Sequence, residues 1–275
     1  MVRIYNNEFN LGQICDSGQC FRMSRAGSDD DTYEIIATDK RLIARQLNDG
    51  AELDCTEDEY ERFWRSYFDI DCGTDYAAIM AGIDPADKYL TDVARVGSGI
   101  RILRQDLWEM IVTFLISQQN NIPRIHKCIE NICREYGRFM EANGPDYYAF
   151  PTPEALASLD ENALMPCNLG YRSKYVVRAA RSVTTSLNLD ELRILDYTDA
   201  RARLLELYGI GAKVADCICL FALHHLESFP VDTHIRQVLE REYGSGYGEA
   251  FPFARYHDHL GVIQQYMFYG ELVRK

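Results

Sequence analysis

Two residues in the stretch Leu207–His234, LYGIGAKVADCICLFALHHLESFPVDTH, are of types and spacing that could do chemistry together: Lys213 and Asp232. The pattern predicts a helix ending at Tyr208, a tight Gly209-Ile210-Gly211 hairpin, and a second helix beginning at Ala212 with Lys213 in its first turn. Glycine at both ends of the hairpin permits positive φ and close approach of another backbone. The start of the second helix adds unpaired N–H groups and positive dipole. Such a site binds anions, and phosphate suits it. Pro230-Val231-Asp232-Thr233-His234 then sets a carboxylate just before a further helical pattern, Ile235, Val238, Leu239. A lysine and a carboxylate are thereby delivered to neighbouring helix starts. The plainer alternative is that Lys213 only contacts phosphate and Asp232 only caps its helix.

The elements that must position this pair divide the chain in two. Tyr33 to Thr38 and Arg41 to Leu47 are rich in β-branched and aromatic residues around an Asp39-Lys40 turn, which predicts an antiparallel hairpin. Ser28-Asp29-Asp30-Asp31 reads as a polar loop. From Cys55 the period becomes helical: Thr56-x-x-Glu59 is a capping box, followed by Tyr60, Phe63, Trp64 and Tyr67 on one face. Asp84-Pro85 opens a helix, Asp106-x-x-Glu109 opens a strongly apolar one to Ser117, and Pro123 starts another ending near Gly137. No strand pattern is expected after Leu47, and the final stretch, Leu260 to Leu272, reads as an aromatic-rich helix. The expected class is α+β, mostly α: an N-terminal antiparallel-sheet domain with helices over residues 1–100, then an all-α domain over 101–275 holding the helix-hairpin-helix at 207–222 and the aspartate segment at 230–234.

Composition bounds the function. The chain of 275 residues, 47% hydrophobic and 26% charged, is that of a folded globular protein. It has no run long enough to cross a bilayer, and MVRIYNNEFNLGQ lacks the apolar core of a secretory signal, so an intracellular protein is expected. Nine cysteines without a CxxC pair read as reduced core thiols, and no metal site is expected. The net charge of −13 argues against tight nucleic-acid binding. Its distribution matters, however: residues 1–100 carry 20 acidic and 10 basic side chains, residues 101–275 carry 22 and 19. Between Asn168 and Ser182 there are Arg172, Lys174, Arg178 and Arg181 and no acidic residue, a local basic patch.

The hairpin LYGIGAK with its lysine and the following Pro-x-Asp resembles the helix-hairpin-helix Gly/Pro-Asp signature of base-excision DNA glycosylases, and KVADCICLFAL resembles the 8-oxoguanine branch in particular. The iron–sulfur branch carries four closely spaced cysteines after the aspartate; here no cysteine follows Cys219. The resemblance implies that Lys213 attacks the anomeric carbon and forms a Schiff base that permits β-elimination, with Asp232 stabilising the cationic sugar. Helix dipole and partial burial are expected to depress the lysine pKa. Ser17-Gly18-Gln19-Cys20-Phe21-Arg22 resembles the family's Ser-Gly-Gln-x-Phe-Arg, so Gly18 would present the carbonyl that accepts the N7 hydrogen distinguishing 8-oxoguanine from guanine. Cys217 and Phe268 would sandwich the flipped base and Gln264 read its Watson–Crick edge, Gln264 and Phe268 lying on one helix face.

On the opposite strand, Gly170-Tyr171-Arg172 resembles the family's wedge tyrosine and its arginine to the orphaned cytosine, and Gln119-Asn120-Asn121-Ile122-x-Arg124 resembles a segment that usually begins with three asparagines. Gln119 departs from that pattern where the family's residue plugs the vacated hole, which leaves opposite-base selectivity open. Gly209 and Gly211 would contact phosphate, as would His234. The resemblance implies double-stranded DNA containing 8-oxoguanine as the partner of a monomer, no required cofactor, and a possible structural cation at the hairpin carbonyls. Compartment would follow the DNA: nucleoid in a bacterium, nucleus in a eukaryote. Two alternatives stay open, a glycosylase for another damaged purine and a non-catalytic helix-hairpin-helix DNA-binding module.

Overall fold

The computed structural model describes residues 1–27, 30–141 and 145–274. Ser28 and Asp29 of the expected polar loop lie outside the described residues. Five antiparallel strands form the N-terminal sheet in the order β1-β5-β4-β3-β2, with β1 Val2–Tyr5, β2 Met23–Arg25, β3 Thr32–Ala37, β4 Lys40–Leu47 and β5 Gly50–Leu53. The β3–β4 hairpin pairs Ala37 with Lys40, so its turn is Thr38-Asp39, one residue earlier than expected, and Thr38 takes φ +55°. The first fifty residues read as strands in general, but β1 and β2 were not bounded and β5, beyond Leu47, was not expected; each has at most four residues, too few to show an alternation. A second, two-stranded sheet at Phe139–Met140 and Tyr147–Tyr148 likewise departs from the expectation of no strands beyond Leu47.

The helix starts follow the capping chemistry. Thr56 and Glu59 form a reciprocal capping box. Asp106 accepts the Glu109 N–H at 3.0 Å at the start of Leu107–Ser117, and Asn121 caps Ile122–Tyr136, which carries proline in its first turn. The helix expected from Asp84-Pro85 begins instead at Lys88, where the Asp87 side chain accepts the Leu90 N–H at 2.9 Å. Asp84 turns back on its own loop, accepting from the Ala86 N–H. No helix among the described residues is long and apolar enough to cross a membrane.

Two apolar cores result. The smaller packs the sheet against Leu11, Ile14, Trp64, Tyr67 and Phe68. The larger runs from Tyr76 to Tyr269, joined by Phe21, and takes in the helices at 76–96. Polar bonds join the two bodies. The Thr38 N–H donates to buried Glu109 Oε2 at 3.0 Å, docking the hairpin on Leu107–Ser117. Burial pushes the Glu109 carboxyl up to about 7. Gln19, fully buried, donates to the carbonyl of Arg101 at 2.9 Å and accepts from the Leu103 N–H at 2.8 Å. That clamp holds the Ser17–Arg22 segment against the helical body.

Candidate active site

The hairpin is built as a close approach. Gly209 has φ +93°, and a Cβ there would stand 2.7 Å from the Tyr175 ring, so glycine is required twice over. Gly211 differs from expectation: its φ of −101° and ψ of 177° are ordinary extended backbone, with open space around a Cβ. It begins the Ala212–Phe221 helix without a side-chain cap, and this is what leaves the first amides bare for an anion. Lys213 follows in that first turn, with Nζ 5.5 Å from the centre of the Phe114 ring.

A cavity of about 460 Å³ opens where the hairpin helix, the Leu107–Ser117 helix, the Gly18 loop and the C-terminal helix meet. Gly18, Phe114, Asn120, Lys213, Cys217, Asp232, Gln264, Gln265 and Phe268 all line it. A larger cavity of about 1000 Å³ adjoins it, sharing Gly18, Phe21 and Ile122, but neither Lys213 nor Asp232 reaches it. Chemistry therefore belongs to the smaller one. Asp232 does cap the Thr233–Tyr243 helix, accepting the Ile235 N–H at 2.7 Å, so its backbone bond fixes the carboxylate that faces the cavity.

The lysine's titration corrects the expectation. Lys213 is held above the ordinary lysine range, chiefly by the adjoining Cys217 sulfur and further by the Asp232 carboxylate, against burial that lowers it. Burial pushes the Cys217 thiol up, while Lys213 pulls it back. Desolvation does not outweigh the adjoining Cys217 sulfur and the Asp232 carboxylate.

The recognition side is equally constrained. Gly18 has φ +72°, and a Cβ on it would meet Phe268 Cε1 at 2.9 Å. Phe268 and Gln264 rise from Leu260–Val273, whose Gly261 lets the helix approach Leu220 so closely that a Cβ would fall 2.2 Å from Leu220 Cδ1. Gln264 is buried, and its Oε1 accepts from Gln265 Nε2 at 3.1 Å. His234 turns its ring edge-on to Phe268 at 5.9 Å, with Nε2 buried and unpartnered. A phosphate contact through that nitrogen requires the ring to turn.

Comparison with known proteins gives this geometry its context. Residues 1–111 match the N-terminal domain of 8-oxoguanine DNA glycosylase, and residues 112–248 match the HhH-GPD superfamily of base excision DNA repair proteins. The N-glycosylase/DNA lyase of Saccharomyces cerevisiae is 30% identical over 267 residues, covering 88% of this chain and 70% of the yeast protein. The Arabidopsis thaliana N-glycosylase/DNA lyase OGG1 is 29% identical over 98% of this chain and 80% of its own length. The 8-oxoguanine glycosylase/lyase of Clostridium acetobutylicum, solved with double-stranded DNA containing cytosine opposite 8-oxoguanine, superposes with a TM-score of 0.90 at 31% identity, covering 100% of this chain and 98% of that one. The chain belongs to the 8-oxoguanine DNA glycosylase family. It is a base-excision repair N-glycosylase/DNA lyase.

In this glycosylase the residues expected at the opposite base differ in readiness. Tyr171 is 46% exposed and stacks edge-on with Tyr175, which stacks with Tyr208, also 46% exposed. These rings make an exposed aromatic ridge beside the hairpin. Tyr208 was not singled out in the sequence, although its place at the hairpin's entry was the signal. Asn120 donates to the Ile116 carbonyl at 3.0 Å and lines the base cavity. Arg124 is exposed, and its guanidinium donates to the Asn168 carbonyl at 3.2 Å. Arg172, which the resemblance sets at the orphaned cytosine, is turned inward in the DNA-free protein. It is buried, and its guanidinium donates to the carbonyls of Gln118, Gln119 and Leu169, so it braces the loop. Gln119 sits in that loop at φ +48°, accepting weakly from the Tyr171 hydroxyl at 3.4 Å. The basic patch is also thinner than the sequence suggests: Arg178 pairs with Glu161 at 2.7 Å, and Arg181 donates to the carbonyls of Ala157 and Leu159.

Proposed function

We propose that this glycosylase holds double-stranded DNA across the hairpin and the Tyr171–Tyr208 ridge, and draws an 8-oxoguanine out from opposite cytosine into the 460 Å³ cavity. Phe268 and Cys217 sandwich the base, the Gly18 carbonyl accepts its N7 hydrogen, and Gln264 reads its Watson–Crick edge. Guanine, with a lone pair at N7, would face the Gly18 oxygen with no hydrogen between them, a loss of roughly 1–3 kcal/mol. Lys213 Nζ forms a bond to the anomeric carbon as the bond to the base breaks and its electron pair leaves with the base. Loss of a proton from nitrogen and opening of the sugar give the Schiff base, and β-elimination then cleaves the strand. Attack needs the neutral amine. The entering base excludes water from Lys213, which strengthens the desolvation already pulling its pKa down, while Asp232 stabilises cationic character on the sugar.

What supports this assignment of roles is one observation: six side chains or backbone groups from segments spread over 250 residues, Gly18, Lys213, Cys217, Asp232, Gln264 and Phe268, line a single cavity roomy enough for a base. Lysine supplies the chemistry without a cofactor. A structural cation at the hairpin would be held by main-chain carbonyls, of which that of Gly209 already accepts from Gln118 Nε2 at 2.9 Å. The test is borohydride trapping on a duplex carrying one 8-oxoguanine opposite cytosine. The protein should give a covalent adduct and Lys213→Gln none, with duplex binding retained. An adduct that persists in the variant would remove Lys213 as the nucleophile.

A further inference from the structure

The Leu107–Ser117 helix ends at Gln118, whose side chain reaches across to the hairpin: Nε2 donates to the Gly209 carbonyl at 2.9 Å, with the Leu115 carbonyl of its own helix farther off at 3.4 Å. Both partners are acceptors, so it is the amide nitrogen that must face them. The Gln118 main-chain carbonyl is held from the other side, accepting from Arg172 Nε at 2.9 Å and from Nη2. Arg172 Nη2 also donates to the Gln119 carbonyl at 2.9 Å. One turn further along the Arg172–Thr185 helix, Tyr175 stands so close to Gly209 that a Cβ there would meet its Cγ at 2.7 Å. Three segments are thus joined pairwise: the hairpin to the Gln118-Gln119 loop, that loop to the Arg172–Thr185 helix, and that helix back to the hairpin. Gln118 is the corner through which two of these joints pass. Beside it Gln119 is exposed at φ +48°, a conformation that persists only where the surroundings over-determine it.

We propose that Gln118 is a positioning residue for base extrusion. Its side chain locks the loop that fills the vacated position to the hairpin that grips phosphate, so that grip, Tyr171 wedge and gap filling keep one register. This deepens the reading proposed above and rests on it. Gln118 does not line the 460 Å³ cavity, although Ser117 and Asn120 on either side of it do, so it has no direct part in bond cleavage. Cutting the bond to Gly209 frees the loop from the hairpin and leaves Lys213 and Asp232 where they are. The penalty therefore falls on drawing the base out, a step whose cost is largest for a stacked, paired base and least for one already loosened.

The experiment measures single-turnover excision of 8-oxoguanine opposite cytosine by the wild type, Gln118→Met and Gln118→Ser. Each is assayed in a fully paired duplex and in one whose two pairs flanking the lesion are mismatched, which loosens the base and keeps the opposite cytosine. Methionine retains the length and loses the donor, whereas serine cannot reach Gly209. A 2-aminopurine next to the lesion reports extrusion by its fluorescence, and the melting temperature reports the fold. In the paired duplex both variants should excise on the order of 10-fold more slowly, with the fluorescence rise slowed alike and melting within a few degrees of wild type. In the mismatched duplex they should come within about twofold of wild type. A residue that merely supports the fold or the cavity would slow both duplexes by the same factor. That result, or undiminished excision from the paired duplex, or loss of the fold in both variants, overturns the proposal. Failure of the wild type to excise 8-oxoguanine from either duplex would instead overturn the reading on which it rests.

Discussion

Replacing Gly18 by alanine should separate base recognition from strand cleavage. At φ +72° an alanine pays roughly 1–2 kcal/mol of left-handed strain, and its Cβ would lie 2.9 Å from Phe268 Cε1 and 3.5 Å from Cζ. A carbon–carbon contact relaxes at about 3.5–4.0 Å, so ring and loop must part by roughly 0.6–1.1 Å. The cost in stability is tolerable against a total of about 5–15 kcal/mol, and the melting temperature should fall by roughly 2–8 °C. Activity should fall further, because a misplacement of about 1 Å in a positioned group costs on the order of 100-fold, and here both the acceptor carbonyl and the stacking ring move. The assay is single-turnover excision of 8-oxoguanine beside cleavage of a duplex with a preformed abasic site. Excision should drop about 100-fold while abasic-site cleavage stays within a few-fold. Wild-type excision by the variant, or equal loss of both activities, would refute the assignment of Gly18 and Phe268 to the base.

Three further outcomes follow from particular side chains. Asp232→Asn keeps an oxygen for the Ile235 N–H and so should melt within a few degrees of wild type, yet excise far more slowly because the charge is gone; loss of stability instead would make capping the residue's main task. Gln119→Asn should stabilise the fold by several tenths of a kcal/mol, measured by urea unfolding, since asparagine adopts φ +48° more readily than glutamine; no gain would mean that the Tyr171 contact offsets the strain. Glu109, raised in the folded state to about 7, favours the fold most below its unfolded pKa near 4.5, and that contribution is lost as pH rises through 7. The loss amounts to at most about 3 kcal/mol, so Glu109→Gln should flatten the fall in stability between pH 5 and 8 while keeping an acceptor for Thr38; an unchanged pH profile would refute it.

Whatever local chemistry fixes was legible in the sequence. Thr56, Asp106 and Asp232 cap helices because a short polar side chain before an apolar period has few other uses, and Gly209 takes the positive φ that its place in the hairpin permits. Reading Gly18, Cys217, Gln264 and Phe268 as one group needed the family resemblance, since nothing local joins residue 18 to residue 268. What stayed hidden depends on non-local packing. Arg172 looked like a surface donor because arginine usually is one, and only the folded loop supplies the three carbonyls that bury it. The Lys213 titration depends on what stands opposite it.

The proposed base slot is closed by segments far apart in sequence, Gly18 from the sheet side and Phe268 from Leu260–Val273, whereas Lys213 and Asp232 lie within twenty residues of each other. Judgement and execution are therefore housed in parts with different fates. Any opening of Leu260–Val273 unmakes the slot while leaving the lysine and its carboxylate together. A molecule injured by heat, oxidation or proteolysis at Leu260–Val273 would lose discernment before it loses its blade, and would still cut at a sugar that already lacks a base.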